Sequence, residues 1–222
     1  MINKLPRWVE VGGFFLAFIA GSINSVGLLG FKHQAVSHLT GTSTFLSLEI
    51  ATLNGPEIIH LLLVAASFLI GAVFSGFLVG NTALKLGRPY SFALLIESFL
   101  LFGAFVFLNK NSSFGYYLAS IACGLQNALT SSYSGAVIRT THVSGLFTDI
   151  GIIIGLRLRG HAADRRKIIL YVILISGFIC GGIVGALLFN HLAFKAILLP
   201  SIMAACIATS YWIYLHVTQK GA

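Results

Sequence analysis

Residues 38–53 read HLTGTSTFLSLEIATL, and residues 142–156 read HVSGLFTDIGIIIGL. Each stretch opens on a His, a hydroxyl residue and a Gly. Each then turns apolar but stays short of the roughly 20 residues that cross a bilayer. Each also carries one acid, Glu49 or Asp149. Reading these two stretches decides the fold. If both cross, the chain has eight spans. If both enter and return, it has six.

The sequence around them is apolar. Of 222 residues, 57% are hydrophobic and 9% are charged, against about 25% charged in ordinary soluble domains. A soluble domain of this size needs a charged shell around its core. Fourteen Lys+Arg and six Asp+Glu do not supply one. A soluble globular protein and a disordered one are both excluded. Six runs are long enough to span: 11–29, 58–79, 91–108, 114–133, 168–189 and 193–215. The first follows Lys4 and Arg7 as a signal peptide would. It lacks a small-residue cleavage site and more spans follow, so it reads as retained. The net charge of +8 does not point to nucleic acid, because the bases are scattered in short loops with no aromatic-interleaved basic face. Cys123, Cys180 and Cys206 lie in apolar runs without paired spacing. They read as small buried hydrophobes, and neither a metal nor a cofactor is expected.

Charge placement arbitrates between six and eight spans, because cytoplasmic loops hold excess Lys and Arg. With six spans and the N-terminus inside, eleven bases are cytoplasmic: Lys4, Arg7, Lys85, Arg88, Arg139, Arg157, Arg159, Arg165, Arg166, Lys167 and Lys220. Lys32, Lys110 and Lys195 are outside. With eight spans the division is nine to five. The six-span reading fits better and puts both termini in the cytoplasm. The basic loop 157–167, RLRGHAADRRK, anchors that orientation and meets anionic lipid heads.

The second half echoes the first. Gly21-Ser-Ile-Asn24 is answered by Gly124-Leu-Gln-Asn127 at an offset of 103, and His38-Leu-Thr40-Gly41 by His142-Val-Ser144-Gly145 at 104. Gly71-xxx-Ser75 is answered by Gly177-xxx-Gly181-xxx-Gly185 at 106. Such small-residue stripes allow close helix packing. The expected fold is an all-α polytopic membrane protein, one membrane domain built of two repeats. Residues 1–110 hold three spans and the broken segment 38–53, and residues 111–222 hold three spans and the broken segment 142–156. Three crossings per half make the repeats inverted. Inverted repeats with broken helices are a transporter pattern, with the solute held at the midplane between them.

The repeated motif suits that role. Thr40 or Ser144 can serve free N–H groups at a helix start, and Gly41 or Gly145 allows close backbone approach. The helix N-terminus then favours an anion or carboxylate. Two such half-helices are expected to converge on one cavity. His38 and His142 add donors that titrate near neutral pH. Asn24, Gln126 and Asn127 interrupt apolar spans and need internal partners. With Thr42, these residues form the expected solute site. The same residue types also serve simply as hydrogen bonds between helices. An ionisable residue in a span is a functional candidate by default, which makes Asp149, Glu97 and Glu49 candidates for proton or ion coupling. Asp149 lies seven residues after His142 on one helical face. Glu97 lies centrally in LLIESFLLF with no base near it in sequence.

The segments AGSINSVG, SHLTGTSTFLSLEIA, GLQNALTSSYSGAVIRTTHVSG and LFTDIGIIIG resemble the YoaK family, also called DUF1275 or UPF0700. The resemblance covers nearly the whole chain. Its most specific parts are Gly124-Leu-Gln-Asn-Ala128 and the run from Arg139 to Gly145. Members of that family commonly carry Asp at the place of Asn24 and Asn at that of Thr42. The resemblance implies a multi-pass protein of a bacterial inner membrane and says little about substrate.

The leading expectation is a small secondary transporter or permease for a small solute, plausibly anionic. A membrane enzyme ranks lower, since no Gly-x-Ser-x-Gly elbow, His-Glu-x-x-His helix or Gly-rich phosphate loop is present. His38, His142 and Asp149 are weak as metal ligands. A non-transporting scaffold or sensor also ranks lower, because no soluble domain reads out a signal. The expected surroundings are lipid and a small solute, and the small-residue faces leave a homodimer open.

Overall fold

The computed structural model describes residues 8–80, 88–162 and 164–220. These form eight α-helices: α1 (Trp8–Leu29), α2 (Leu39–Ala51), α3 (Gly55–Val79), α4 (Arg88–Leu108), α5 (Phe114–Ser134), α6 (Val143–Leu158), α7 (Arg165–Leu192) and α8 (Leu198–Lys220). A 3-10 turn, Ala193–Ile197, joins the last two. Among the described residues there is no strand. Lys4, Arg7 and Lys85, used above to orient the chain, lie outside the described residues.

Local chemistry accounts for the helix ends. Pro56 stands in the first turn of α3, where its missing N–H costs nothing. Gly135 ends α5 in the left-handed conformation (φ 61°). Asp164 caps α7 by accepting from the Lys167 backbone N–H at 3.2 Å.

Four stretches are long and apolar enough to cross a membrane: 8–29, 55–79, 89–108 and 165–217, the last containing both α7 and α8. Large apolar side chains cover the outer surface, among them Leu69, Val73, Phe77, Phe99, Ile202 and Ile213. A surface of that kind belongs in hydrocarbon rather than water. The chain is therefore a helical membrane-type protein. Helix α5 is the more polar one, with Ser120, Gln126, Thr130 and Ser134 all buried. It is packed between α3 and α4 and also touches α1, so protein groups serve those side chains.

Two tight crossings carry the bundle, α1 on α7 and α3 on α5. Each rests on reciprocal glycines. A methyl on Gly21 would overlap the Phe178 carbonyl, and one on Gly181 the Phe18 carbonyl. Likewise Gly71 meets the Ile121 carbonyl and Gly124 meets that of Phe68. In contact terms Gly21 thus corresponds to Gly124 and Gly71 to Gly181. The second offset is 110, which corrects the 106 expected from the Gly71-xxx-Ser75 spacing. The stripe Ser67-Gly71-Ser75 answers Gly177-Gly181-Gly185, and packing rather than residue identity sets that register. A third contact is also reciprocal. Ser98 Oγ donates to the Ser201 carbonyl at 2.8 Å, and Ser201 Oγ donates to the Ser98 carbonyl at 2.9 Å.

The short helices lie at the margin. In α2 only Thr42 is buried, and in α6 only Leu146 and Ile153. Helix α2 packs on α3 and α6 on α7, with no packing of one short helix on the other. The cysteine expectation also needs correcting. Cys123 is buried, but Cys180 and Cys206 are exposed, because each sits on the outward or cavity side of its helix rather than on the packed stripe.

Candidate functional site

The chain enters the bundle interior just before each short helix. Residues 30–38 do so against α1 and α5. The Asn24 amide clasps Ser37 twice, with Nδ2 donating to Ser37 Oγ at 2.6 Å and Oδ1 accepting from Ser37 N–H at 3.0 Å. Ser120 Oγ on α5 lies 2.9 Å from the carbonyls of both Val36 and Val64. Gln34 Nε2 donates to Thr42 Oγ1 at 2.9 Å. Glycine at 27 leaves room for the Gln34 carbonyl, which accepts no side chain there. Non-helical backbone at membrane depth needs this kind of internal partner.

The second connector is held differently. Gln126 Nε2 donates to Thr140 Oγ1 at 3.0 Å and to the Leu16 carbonyl at 2.9 Å. Ser134 Oγ accepts from Ile138 N–H at 2.8 Å. Arg139 Nη1 donates to His142 Nδ1 at 3.1 Å. The amide work thus passes from Asn24 in the first half to Gln126 in the second. Asn127, the sequence match of Asn24, keeps a buried Oδ1 without a partner, and so does Gln126 Oε1.

His38 and His142 stand at the N-caps of α2 and α6, where the broken helices were expected to begin. Both rings fold back over the following Gly41 and Gly145, whose positions admit no Cβ beside the imidazole. No side chain caps either helix, so the capping expected of Thr40 and Ser144 is not made. Those two are exposed, as are both His. The half-helices flank the bundle instead of facing one another across a cavity. The structure therefore gathers Asn24 and Thr42 around the first connector and Gln126 around the second. It leaves His38, Thr40, His142 and Ser144 outside.

The acids also separate. Glu49 accepts from Asn54 Nδ2 at 2.7 Å on the exposed end of α2. Asp149 accepts from the Tyr171 hydroxyl at 2.9 Å, which ties α6 to α7. Glu97 is fully buried, and neither carboxylate oxygen has a hydrogen-bond partner. Among the described residues no three of His, Cys, Asp and Glu gather, so His38, His142 and Asp149 do not form a metal set.

A cavity of about 690 Å³ opens between α1, α4, α5 and α8. Its walls include Gly13 and Leu16 from α1, Tyr90 and Leu94 from α4, and Leu129, Thr130 and Tyr133 from α5. Helix α8 adds Met203, Cys206, Ile207, Tyr211 and Tyr214. The lining is almost wholly apolar and, among the described residues, includes no Lys, Arg, His, Asp or Glu. Tyr90 and Tyr133 meet edge to face at 5.7 Å, and the buried Tyr211 hydroxyl has no partner. Sequence reasoning missed these residues because it sought polar interruptions in apolar runs. The available signal was aromatic: Tyr90, Tyr133, Tyr211 and Tyr214 make up four of the seven tyrosines.

A family model described as a protein of unknown function (DUF1275) matches residues 12–210. The chain belongs to this family. The match takes in α2 to α7, most of α1 and the first half of α8, and therefore both connectors and part of the cavity wall. Neither the curated proteins nor the solved structures yield a match to the chain.

Proposed function

We propose that this DUF1275 protein is a small secondary transporter of six spans in two inverted halves, caught with its cavity open to the cytoplasm. The observation that carries this reading is a difference between two ends that correspond by sequence offset. At an offset of 103, the cavity residues Gly13, Leu16, Leu94, Leu129, Ile207 and Tyr211 answer Tyr116, Ala119, Ile197, Val26, Ala104 and Leu108. The second set lies wholly within a closed core, whereas Leu16, Ile207 and Tyr211 of the first are only partly buried and all six line the cavity. Corresponding helices are thus parted at one end and packed at the other, as alternating access around a fixed centre requires. The reciprocal Ser98–Ser201 bonds and the paired glycine contacts support the same two-fold relation.

The open end carries Trp8, and Arg166 there pairs with Glu10 at 3.1 Å. Arg157, Arg159, Arg165 and Lys167 share that end, which the positive-inside rule assigns to the cytoplasm of an inner membrane. At the packed end Lys32 pairs with Glu57, and its backbone N–H donates to the Tyr116 hydroxyl at 3.1 Å. Among the described residues the lining offers an anion no base. We therefore replace the anionic solute of the sequence reading with a small, largely apolar one. No bond-making step belongs to this function, which makes the protein a carrier rather than an enzyme.

Cys206 on the cavity wall provides the test. In a Cys180→Ser background, a membrane-impermeant maleimide added from the cytoplasmic side of vesicles should modify Cys206. Joining the mouth with a Gly12→Cys/Ser210→Cys disulfide in a chain lacking the native cysteines should stop solute flux, and reduction should restore it. A Cys206 reached only from the other face, or flux through the locked mouth, would overturn the proposal.

A further inference from the structure

On α4 one buried stripe runs Tyr90, Leu94, Glu97, Leu101, Ala104, Leu108, at the three- and four-residue spacing of a single helix face. Its two ends have different surroundings. Tyr90 and Leu94 line the cavity, whereas Leu101, Ala104 and Leu108 belong to the closed core. Glu97 lies at the junction, one turn beyond the last cavity residue of α4. Its carboxyl is fully buried and unpartnered. The titratable group facing it is the Cys123 thiol from α5. The other elements packed on α4, namely α3, α8 and the 3-10 turn, bring no charged group to act on it. An unpaired charge at that depth is costly, so a carboxylate there calls for a proton or a cation as its partner. The cavity beside it is lined by Tyr90, Tyr133, Tyr211 and Tyr214, and aromatic rings attract cations.

We propose that the solute of this cavity is a lipophilic organic cation, which exchanges for the proton of Glu97. This deepens the transporter reading and rests on it. As the cation reaches the cavity floor, the Glu97 carboxyl gives up its proton to the cytoplasmic water and the carboxylate pairs with the cation. The charge at the buried site is thereby conserved: a neutral acid becomes a neutral ion pair. Binding to the opposite-facing state would run the same exchange in reverse.

The test uses the purified full chain in lipid nanodiscs with tetraphenylphosphonium as probe and tetraphenylborate as its anionic twin. The expected result is phosphonium binding that releases about one proton per chain into a weakly buffered solution. Binding should tighten about tenfold per pH unit while the acid is still protonated, as linkage to one proton requires. Tetraphenylborate should not bind. Glu97→Gln should abolish proton release and pH dependence, while Glu97→Asp should keep both with weaker binding. Proton-independent phosphonium binding, unchanged by Glu97→Gln, would overturn the proposal. So would equal binding of the borate, or no phosphonium binding to unlabelled chain from a preparation whose Cys206 proves accessible to maleimide from the cytoplasm. That last outcome would leave the transporter reading standing, because Cys206 accessibility reports the open cavity without any ligand.

Discussion

Asn24 and Asn127 occupy matching places, yet only Asn24 clasps a connector. Removing its amide leaves the buried Ser37 N–H and hydroxyl unserved. Asn24→Leu is expected to cost about 1–3 kcal/mol, the usual cost of an orphaned buried polar group. It should lower the thermal midpoint in detergent, while Asn127→Leu at an already unpartnered amide oxygen should cost less. Equal losses in the two variants would remove Asn24 from this role. Both were legible in sequence as polar interruptions of apolar spans. That Gln126 takes the anchoring work in the second half was not legible, because the choice depends on which of two adjacent amides faces Thr140. Glu97 was legible as an intramembrane acid. Its place one turn beyond the cavity was not, since that depends on where α8 parts from α1.

Among elements, the crossings of α1 on α7 and α3 on α5 leave no space for a side chain at Gly21, Gly181, Gly71 or Gly124. Overpacking commonly costs about 1–3 kcal/mol, and contact with backbone carbonyls puts these sites at the upper end. Gly71→Leu and Gly181→Leu should therefore sharply reduce folded yield by size-exclusion profile, while Gly76→Leu, in open space on α3, should be tolerated. A folded Gly181→Leu chain with normal yield would show that the crossing tolerates separation. Helix limits were read closely from apolar runs, because a run long enough to span leaves little choice of structure. The short helices were also found, each beginning directly after its His. Their expected convergence was not met, because each short helix bonds to its own half, Thr42 to Gln34 and Asp149 to Tyr171, and the outer faces of α2 and α6 are apolar. Phe45 and Leu48 on α2, with Ile152 and Ile154 on α6, are content in lipid.

At the scale of the whole molecule, a tag inserted among residues 81–87 should report the same side as one in the 157–167 loop. Opposite sides would break the six-span, inverted arrangement. Filling the cavity with Gly12→Trp should block solute flux while preserving folded yield, since a Cβ at Gly12 on the cavity wall meets nothing within 4 Å. Flux unaffected by that plug would place the solute path elsewhere. The sequence by itself determined the membrane setting, the helix limits and the repeated motifs, because hydropathy and small-residue spacing are properties of local chain. The tertiary structure alone decided that one end of α1, α4, α5 and α8 is parted while the corresponding end is packed. Apolar, small and aromatic residues line both ends, and even where a pair differs, as Gly13 against Tyr116, the local sequence does not say which interface is open. That difference arises from which helices pack against one another along their length, a matter of contacts far apart in the chain, and it sets Glu97 between cavity and core.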